Sequence, residues 1–144
     1  MKVSNYIKLE FPSHSANESF ARAAAAGFAS QLDPTLDELG DIKTAVSEAV
    51  TNAIVHAYPD SIGKVSMRLR IIDGEKIEIC VRDWGRGIID LTQAMEPMYT
   101  TGGDERSGMG FTIMESFMDK LKVKSKPNKG TAVTMTRLIR KRRR

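Results

Sequence analysis

Long apolar runs are absent from this sequence. No stretch approaches the roughly 18 to 20 apolar residues of a membrane-spanning helix, so none is expected. The opening Met1-Lys2-Val3-Ser4-Asn5 lacks the apolar core of a secretory leader. Cysteine is nearly absent: Cys80 stands alone, which excludes an internal disulfide and fits a reducing cytoplasm. His14 and His56 are the only histidines, too few for an ordinary zinc site. Internal repeats and low-complexity linkers are missing too. One domain is therefore expected over residues 1–139, followed by a short basic tail at 140–144.

The basic excess is concentrated. Arg140, Lys141, Arg142, Arg143 and Arg144 contribute +5, whereas the whole chain carries only +4, leaving a body of −1. Proteins that hold nucleic acid spread cations along a face or groove. Direct nucleic-acid binding is not expected from this balance, and no membrane partner is expected; the tail is expected to be a solvated terminus, the alternative being a weak contact with an acidic partner or membrane surface.

Alternation over residues 6–11 predicts a strand that Pro12 ends. An alanine-rich helix is expected over 15–32, opened by a Ser15/Glu18 capping box. Asp33-Pro34 interrupts it, and Thr35 caps a second helix to about Ala57, with Leu36, Leu39, Ile42, Val46, Ala49, Val50, Ala53 and Ile54 at helical spacing. Strands over 64–72 and 76–82 flank Asp73-Gly74, a type I′ turn dipeptide. A long connection over 85–108 follows, with a short helix near 90–95. A helix over 109–120 and a second hairpin around Asn128-Lys129-Gly130 complete the order. The expected class is α+β: a two-layer α/β sandwich, with helices on one face of a mixed, largely antiparallel sheet.

Three polar boxes lie on this frame. Glu48 and Asn52 are four apart and share a helix face, with His56 continuing the row. Asn52 offers a hard amide oxygen suited to Mg2+, and Glu48 a carboxylate suited to general-base work. Asp83 follows an apolar strand and precedes Gly85 and Gly87, which allow close approach to the backbone. Its carboxylate accepts hydrogen bonds and so suits the amino group of adenine, whereas guanine presents a carbonyl there. Arg106-Ser107-Gly108-Met109-Gly110 leads into a helix expected to begin near Phe111, a natural phosphate site without the Walker lysine. Thr100 and Thr101, with Gly102 and Gly103, have the composition of a lid. Thr131 begins the last strand, within reach of a base or a bound water.

Glu48-Ala49-Val50-Thr51-Asn52-Ala53, Asp83-x-Gly85-x-Gly87, the lid and Gly108-Met109-Gly110 together resemble the GHKL ATPase/kinase superfamily, with its Bergerat ATP-binding fold. Within it the chain is most similar to the anti-sigma serine kinases of spore-forming bacteria, over nearly its whole length. The resemblance implies ATP and Mg2+ as cofactors and a homodimer as the assembly. It also implies a sporulation sigma factor held inactive, and an anti-anti-sigma protein phosphorylated on serine. By the same resemblance Asn52 binds Mg2+, Glu48 is the base, and Asp83 with Thr131 reads adenine. Thr100, Thr101, Arg106, Ser107, Gly108, Met109 and Gly110 enclose the phosphates, and Arg22 contacts protein partners. Two alternatives stay open: a nucleotide-gated anti-sigma module without phosphotransfer, and a stress-response anti-sigma kinase. A histidine-kinase fragment would need a helical hairpin bearing a phosphoacceptor histidine, and none is expected ahead of the first strand.

Overall fold

The computed structural model describes residues 1–89, 94–95 and 105–139, with the backbone alone described for 105–109. Strand β1 (Val3–Pro12) leads to helix α1 (Asn17–Ala29), which tightens into a 3-10 turn over Ser30–Leu32. Asp33 adopts a left-handed φ of 52° and ends that turn, freeing the chain to redirect at Pro34. Helix α2 (Leu36–Thr51) opens with a complete capping box: Thr35 accepts from the Glu38 N–H, and Glu38 accepts from the Thr35 N–H. A π-helical turn over Asn52–His56 continues it. Strands β2 (Lys64–Ile72) and β3 (Lys76–Asp83), helix α3 (Glu105–Phe117) and strands β4 (Lys120–Lys126) and β5 (Gly130–Leu138) follow.

The sheet runs β1-β2-β3-β5-β4, and every pairing is antiparallel, so the expected mixed character is absent among the described strands. Short hairpin connections dictate this, because a parallel pair would need a crossover of a dozen residues or more. In the first hairpin Asp73 and Gly74 both take positive φ, as a type I′ turn requires. One sheet face carries Ile7, Leu9, Val65, Met67, Leu69, Ile77, Ile79, Val81, Val133 and Met135 against the helices. Helix α2 supplies Ile42, Ala45, Val46, Ala49 and Val50 to this core, and α1 supplies Ala21, Ala25, Phe28 and Ala29. Burying each of the larger of these side chains contributes about 1.5–3 kcal/mol.

Three expectations for the helices need correction. Leu36, assigned to the apolar face of α2, is 88% exposed, since it sits in the first turn beyond the sheet. Ser15 does not cap α1. The N-cap position is Ala16 with helical φ and ψ and no side-chain bond, because the chain already coils through Ser15, whose carbonyl accepts from the Glu18 N–H. Helix α3 begins at Glu105 rather than Met109 and ends at Phe117 rather than Lys120. Arg137 of β5 fixes its end by donating to the Phe117 carbonyl at 2.6 Å and to Asp41 of α2 at 2.9 Å. Of the short helix expected near 90–95, only Ala94 and Met95 are described, in a helical turn; 90–93 lie outside the described residues, as does the 140–144 tail.

Candidate functional site

Glu48 lies in the last turn of α2 and Asn52 opens the π-turn. The Asn52 N–H still donates to the Glu48 and Ala49 carbonyls, so the α spacing holds between the two and both side chains share a face. That face meets α3 at Gly110, which is buried. A Cβ added to Gly110 would stand 3.2 Å from Asn52 Nδ2, 3.5 Å from Asn52 Oδ1 and 3.5 Å from Glu48 Oε2. Glycine lets the α3 backbone lie directly over both polar groups. Glu48, Asn52 and Gly110 thus converge, although 58 residues separate Asn52 from Gly110 in the chain.

The π-turn then alters the register. Its closing bond runs from the Ala57 N–H to the Asn52 carbonyl at 3.1 Å, five residues back rather than four. It also sets the Ala57 carbonyl to accept from the Arg86 N–H at 3.0 Å. Gly85 lies against that same carbonyl, 2.2 Å from where a Cβ would be. On the other side Gly87 lies against the Lys126 carbonyl and Gly130 against the Asp83 carbonyl, each 2.1 Å from a built Cβ, and Gly87 and Gly130 take φ of 72° and 108°. The glycines of this box are required by backbone threaded between two other backbone segments.

Asp83 is the buried carboxylate of this face, 6% exposed at the end of β3. Its Oδ1 accepts from the Gly85 N–H at 3.0 Å and from the Thr131 N–H at 3.2 Å, since Asp83 and Thr131 are direct partners across β3 and β5. Among the described residues no donor reaches Oδ2, which leaves an acceptor for an incoming amino group. Burial raises the Asp83 pKa above the usual carboxylate value, and the two N–H bonds offset part of that rise. The Thr131 hydroxyl shares a 2.8 Å bond with Ser125, which also accepts from the Ile88 N–H. Trp84 faces the opposite side of the sheet, with Lys64 Nζ and the Arg82 guanidinium 4.2 and 4.8 Å from its ring centroid.

Two residues of this site were missed from sequence. Tyr58 marks the helix stop, yet its hydroxyl donates to the Lys64 carbonyl and accepts from the Trp84 N–H, both at 2.7 Å. Ser125 occupies a lysine-rich strand with no motif around it. Neither carried a signal beyond its local turn or strand.

The expected phosphate loop is instead the first part of α3. Residues 107–110 are helical, so the N–H groups lacking an intrahelical acceptor belong to the turn starting at Glu105. Gly108 and Gly110 weaken a helix by about 1 kcal/mol each relative to alanine, but packing of Gly110 on Asn52 and Glu48 favours helical backbone there. The side chains of Arg106, Ser107 and Met109, and all of Thr100 and Thr101, lie outside the described residues. Arg22 sits apart on α1, its Nη1 3.7 Å from Glu18. Rather than capping α1, the Glu18 carboxylate accepts from the Ser47 hydroxyl of α2, next to Glu48.

These elements are chemically suited to an adenine nucleotide: a buried carboxylate whose Oδ2 meets no donor among the described residues, and a helix–helix seam holding a carboxylate and an amide. Residues 11–137 match the histidine kinase-like ATPase domain. An anti-sigma F factor of Caldanaerobacter subterraneus subsp. tengcongensis is 55% identical over 144 residues, covering 99% of this chain and 100% of its own. The chain belongs to the anti-sigma F factor family. The family's ATPase domain implies ATP binding. An anti-sigma F factor of Clostridium kluyveri is 54% identical over 136 residues, 94% of this chain and 95% of its own. Among solved structures, the RsbU and RsbW domains of Rv1364c from Mycobacterium tuberculosis superpose with a TM-score of 0.70 at 20% identity, over 97% of this chain and 34% of that one. That likeness shows the fold. The blue-light activated histidine kinase EL346 of Erythrobacter litoralis gives 0.58 at 28% identity, over 74% of this chain and 32% of its own. The described residues contain no helix long and apolar enough to cross a membrane, and no group of three or more His, Cys, Asp or Glu able to hold a metal.

Proposed function

We propose that this anti-sigma F family member is an ATP-dependent protein-serine kinase that sequesters a sporulation sigma factor and phosphorylates a serine of its anti-anti-sigma antagonist. The observation that carries the proposal is the convergence of Glu48 and Asn52 beneath Gly110, beside the buried acceptor of Asp83. A nucleotide-gated module would need the amide, the glycines and Asp83, but has no use for a carboxylate beside them.

Asp83 Oδ2 accepts the adenine amino group, and Thr131 supports the same edge. Asn52 is the protein's ligand for Mg2+; a single amide oxygen fits an ion that takes its remaining ligands from water and substrate phosphates. Mg2+ held by Asn52 would supply positive charge to offset that of the phosphates. Glu48 takes the proton of the substrate serine hydroxyl as its oxygen bonds to phosphorus, releasing ADP. Thr100, Thr101, Arg106 and residues 107–110 enclose the phosphates, and Arg22 meets the protein partners. The working unit is a homodimer in the cytoplasm, each copy comprising a domain of residues 1–139 and the tail.

The test is intact-mass analysis of a candidate anti-anti-sigma protein after incubation with the chain, Mg2+ and ATP. One added phosphoryl group is expected with the parent. Glu48→Gln should keep ATP affinity within about threefold while slowing transfer by about 100-fold or more, the usual range for a lost general base. Equal rates would remove Glu48 from the mechanism. Asn52→Ala should lose the part of ATP affinity that a chelator removes from the parent; an unchanged Mg2+ dependence would remove the metal assignment.

A further inference from the structure

We infer that the open face of the sheet, opposite the helices, is a docking surface for single-stranded nucleic acid. The inference rests on strand register and is independent of the nucleotide site. The register sets Lys8 beside Arg68, Arg68 beside Cys80, Cys80 beside Thr134 and Thr134 beside Lys122. Strand alternation turns every second neighbour to this same face. The outward set therefore contains ten cations, which are Lys8, Lys64, Arg68, Arg70, Lys76, Arg82 and the β4 residues Lys120, Lys122, Lys124 and Lys126. Only two carboxylates share the face. Glu10 lies 3.9 Å from Lys8, and Glu78 is divided between Arg70 at 2.6 Å and Arg68 at 3.4 Å. A body whose net charge is −1 thus carries a surplus of eight positive charges on one face.

The arrangement on that face is specific. β4 presents lysines at every second residue, a step of about 6.7 Å, which matches successive phosphates along an extended strand. Lysine on an edge strand also discourages sheet-to-sheet pairing, but that cannot account for Arg68, Arg70 and Arg82 on β2 and β3, inside the sheet. Between these two banks lie β5 and part of β3, whose outward residues Ala132, Thr134, Thr136 and Cys80 are small and uncharged. Three interstrand steps make the trough about 14 Å wide. At one end sits Trp84, 38% exposed and flanked by Lys64 and Arg82, an aromatic surface of the kind on which bases stack.

Charge complementarity selects the occupant. A symmetric second copy would set cations against cations. Protein interfaces are depleted in lysine and centred on buried aromatic anchors, whereas this face is lysine-rich and carries its aromatics at the margins, Trp84 at the end of β3 and Tyr6 on edge strand β1. A bilayer surface would also attract the cations, but the central outward residues offer little apolar surface for insertion.

The test uses the full chain and a twenty-nucleotide oligo(dT), which lacks adenine. Trp84 is the only tryptophan, so its fluorescence reports from this face. Saturable quenching is expected, with a log affinity that falls with log salt at a slope of about −3, as for four or five phosphates. Lys122→Ala/Lys124→Ala/Arg82→Ala should weaken binding about tenfold and flatten that slope by about 2, with unchanged circular dichroism. Arg142→Ala/Arg143→Ala/Arg144→Ala should leave the Trp84 response in place. The inference is overturned if the tail variant loses binding while the sheet variant keeps it. It is equally overturned if poly-glutamate, or phosphatidylglycerol vesicles, bind this face as strongly as the oligonucleotide at equal salt.

Discussion

Asp83 and Trp84 are adjacent in sequence and serve opposite faces of the sheet. A turn-plus-glycine motif shows that an acidic residue is set in a close-packed loop. It does not reveal that the next side chain lies across the sheet, because that depends on β3 continuing to Asp83. The carboxylate's burial has a cost that can be measured. Its folded pKa is raised by desolvation, so the folded state holds the proton more tightly than the unfolded chain. Between the unfolded and folded values the native state therefore binds more protons, and stability falls as pH rises through that window. Asp83→Asn keeps an acceptor oxygen toward Gly85 and Thr131 but has no charge to desolvate. The variant should unfold at higher temperature than the parent at pH 7, with the difference shrinking toward pH 4, and should bind ATP at least tenfold more weakly. Thermal scans across pH in the absence of nucleotide measure the first effect. Equal melting temperatures at pH 7 would show that Asp83 burial costs nothing.

Most elements were legible because their signals are local. Thr35 with Glu38 caps α2, Asp73-Gly74 closes the first hairpin, and alternation marks the strands. The failures came where a partner from elsewhere decided the outcome. Glu18 leaves the expected capping box for Ser47 of α2, and α3 extends through a glycine pair because Gly110 packs on Asn52 and Glu48. Within the site, Glu48 and Asn52 could be placed on one face from their spacing. The π-turn after them could not, since an inserted residue changes no composition. It is nonetheless the element that delivers Ala57 to Arg86 and Tyr58 to Trp84. Tyr58→Phe should cost about 1–3 kcal/mol by leaving the Lys64 carbonyl and Trp84 N–H without their partner, and should weaken ATP binding by loosening the Asp83 loop. Denaturant titration and nucleotide titration on the same sample separate the two effects. A stability loss with unchanged ATP affinity would mean that the loop is held by Ala57 and Lys126 alone.

At the scale of the molecule, topology arranges the charge that composition only sums. Net charge places the excess in the tail, yet pairing five strands collects ten cations on one side and sets only two strand carboxylates, Glu10 and Glu78, among them. Strand alternation sorts charge by parity, a property invisible to a sum over the chain. Such a face repels itself in the folded state, and Lys8 and Arg68 are direct cross-strand partners of like sign. Added salt screens exposed charges beyond a Debye length of about 10 Å at 0.1 M. The parent chain without nucleotide should therefore gain stability as KCl rises from low to moderate concentration. Lys122→Glu/Lys124→Glu should place two carboxylates among the remaining cations, raise the melting temperature by about 2–6 °C at low salt, and reduce its salt dependence. The same exchange at Arg142 and Arg143 should do neither, because like charges adjacent in sequence repel one another in the unfolded chain as well. If the melting temperature of the parent falls with KCl, the net electrostatics of the fold are attractive, and the ion pairs of Glu78 and Asp41 outweigh the basic face.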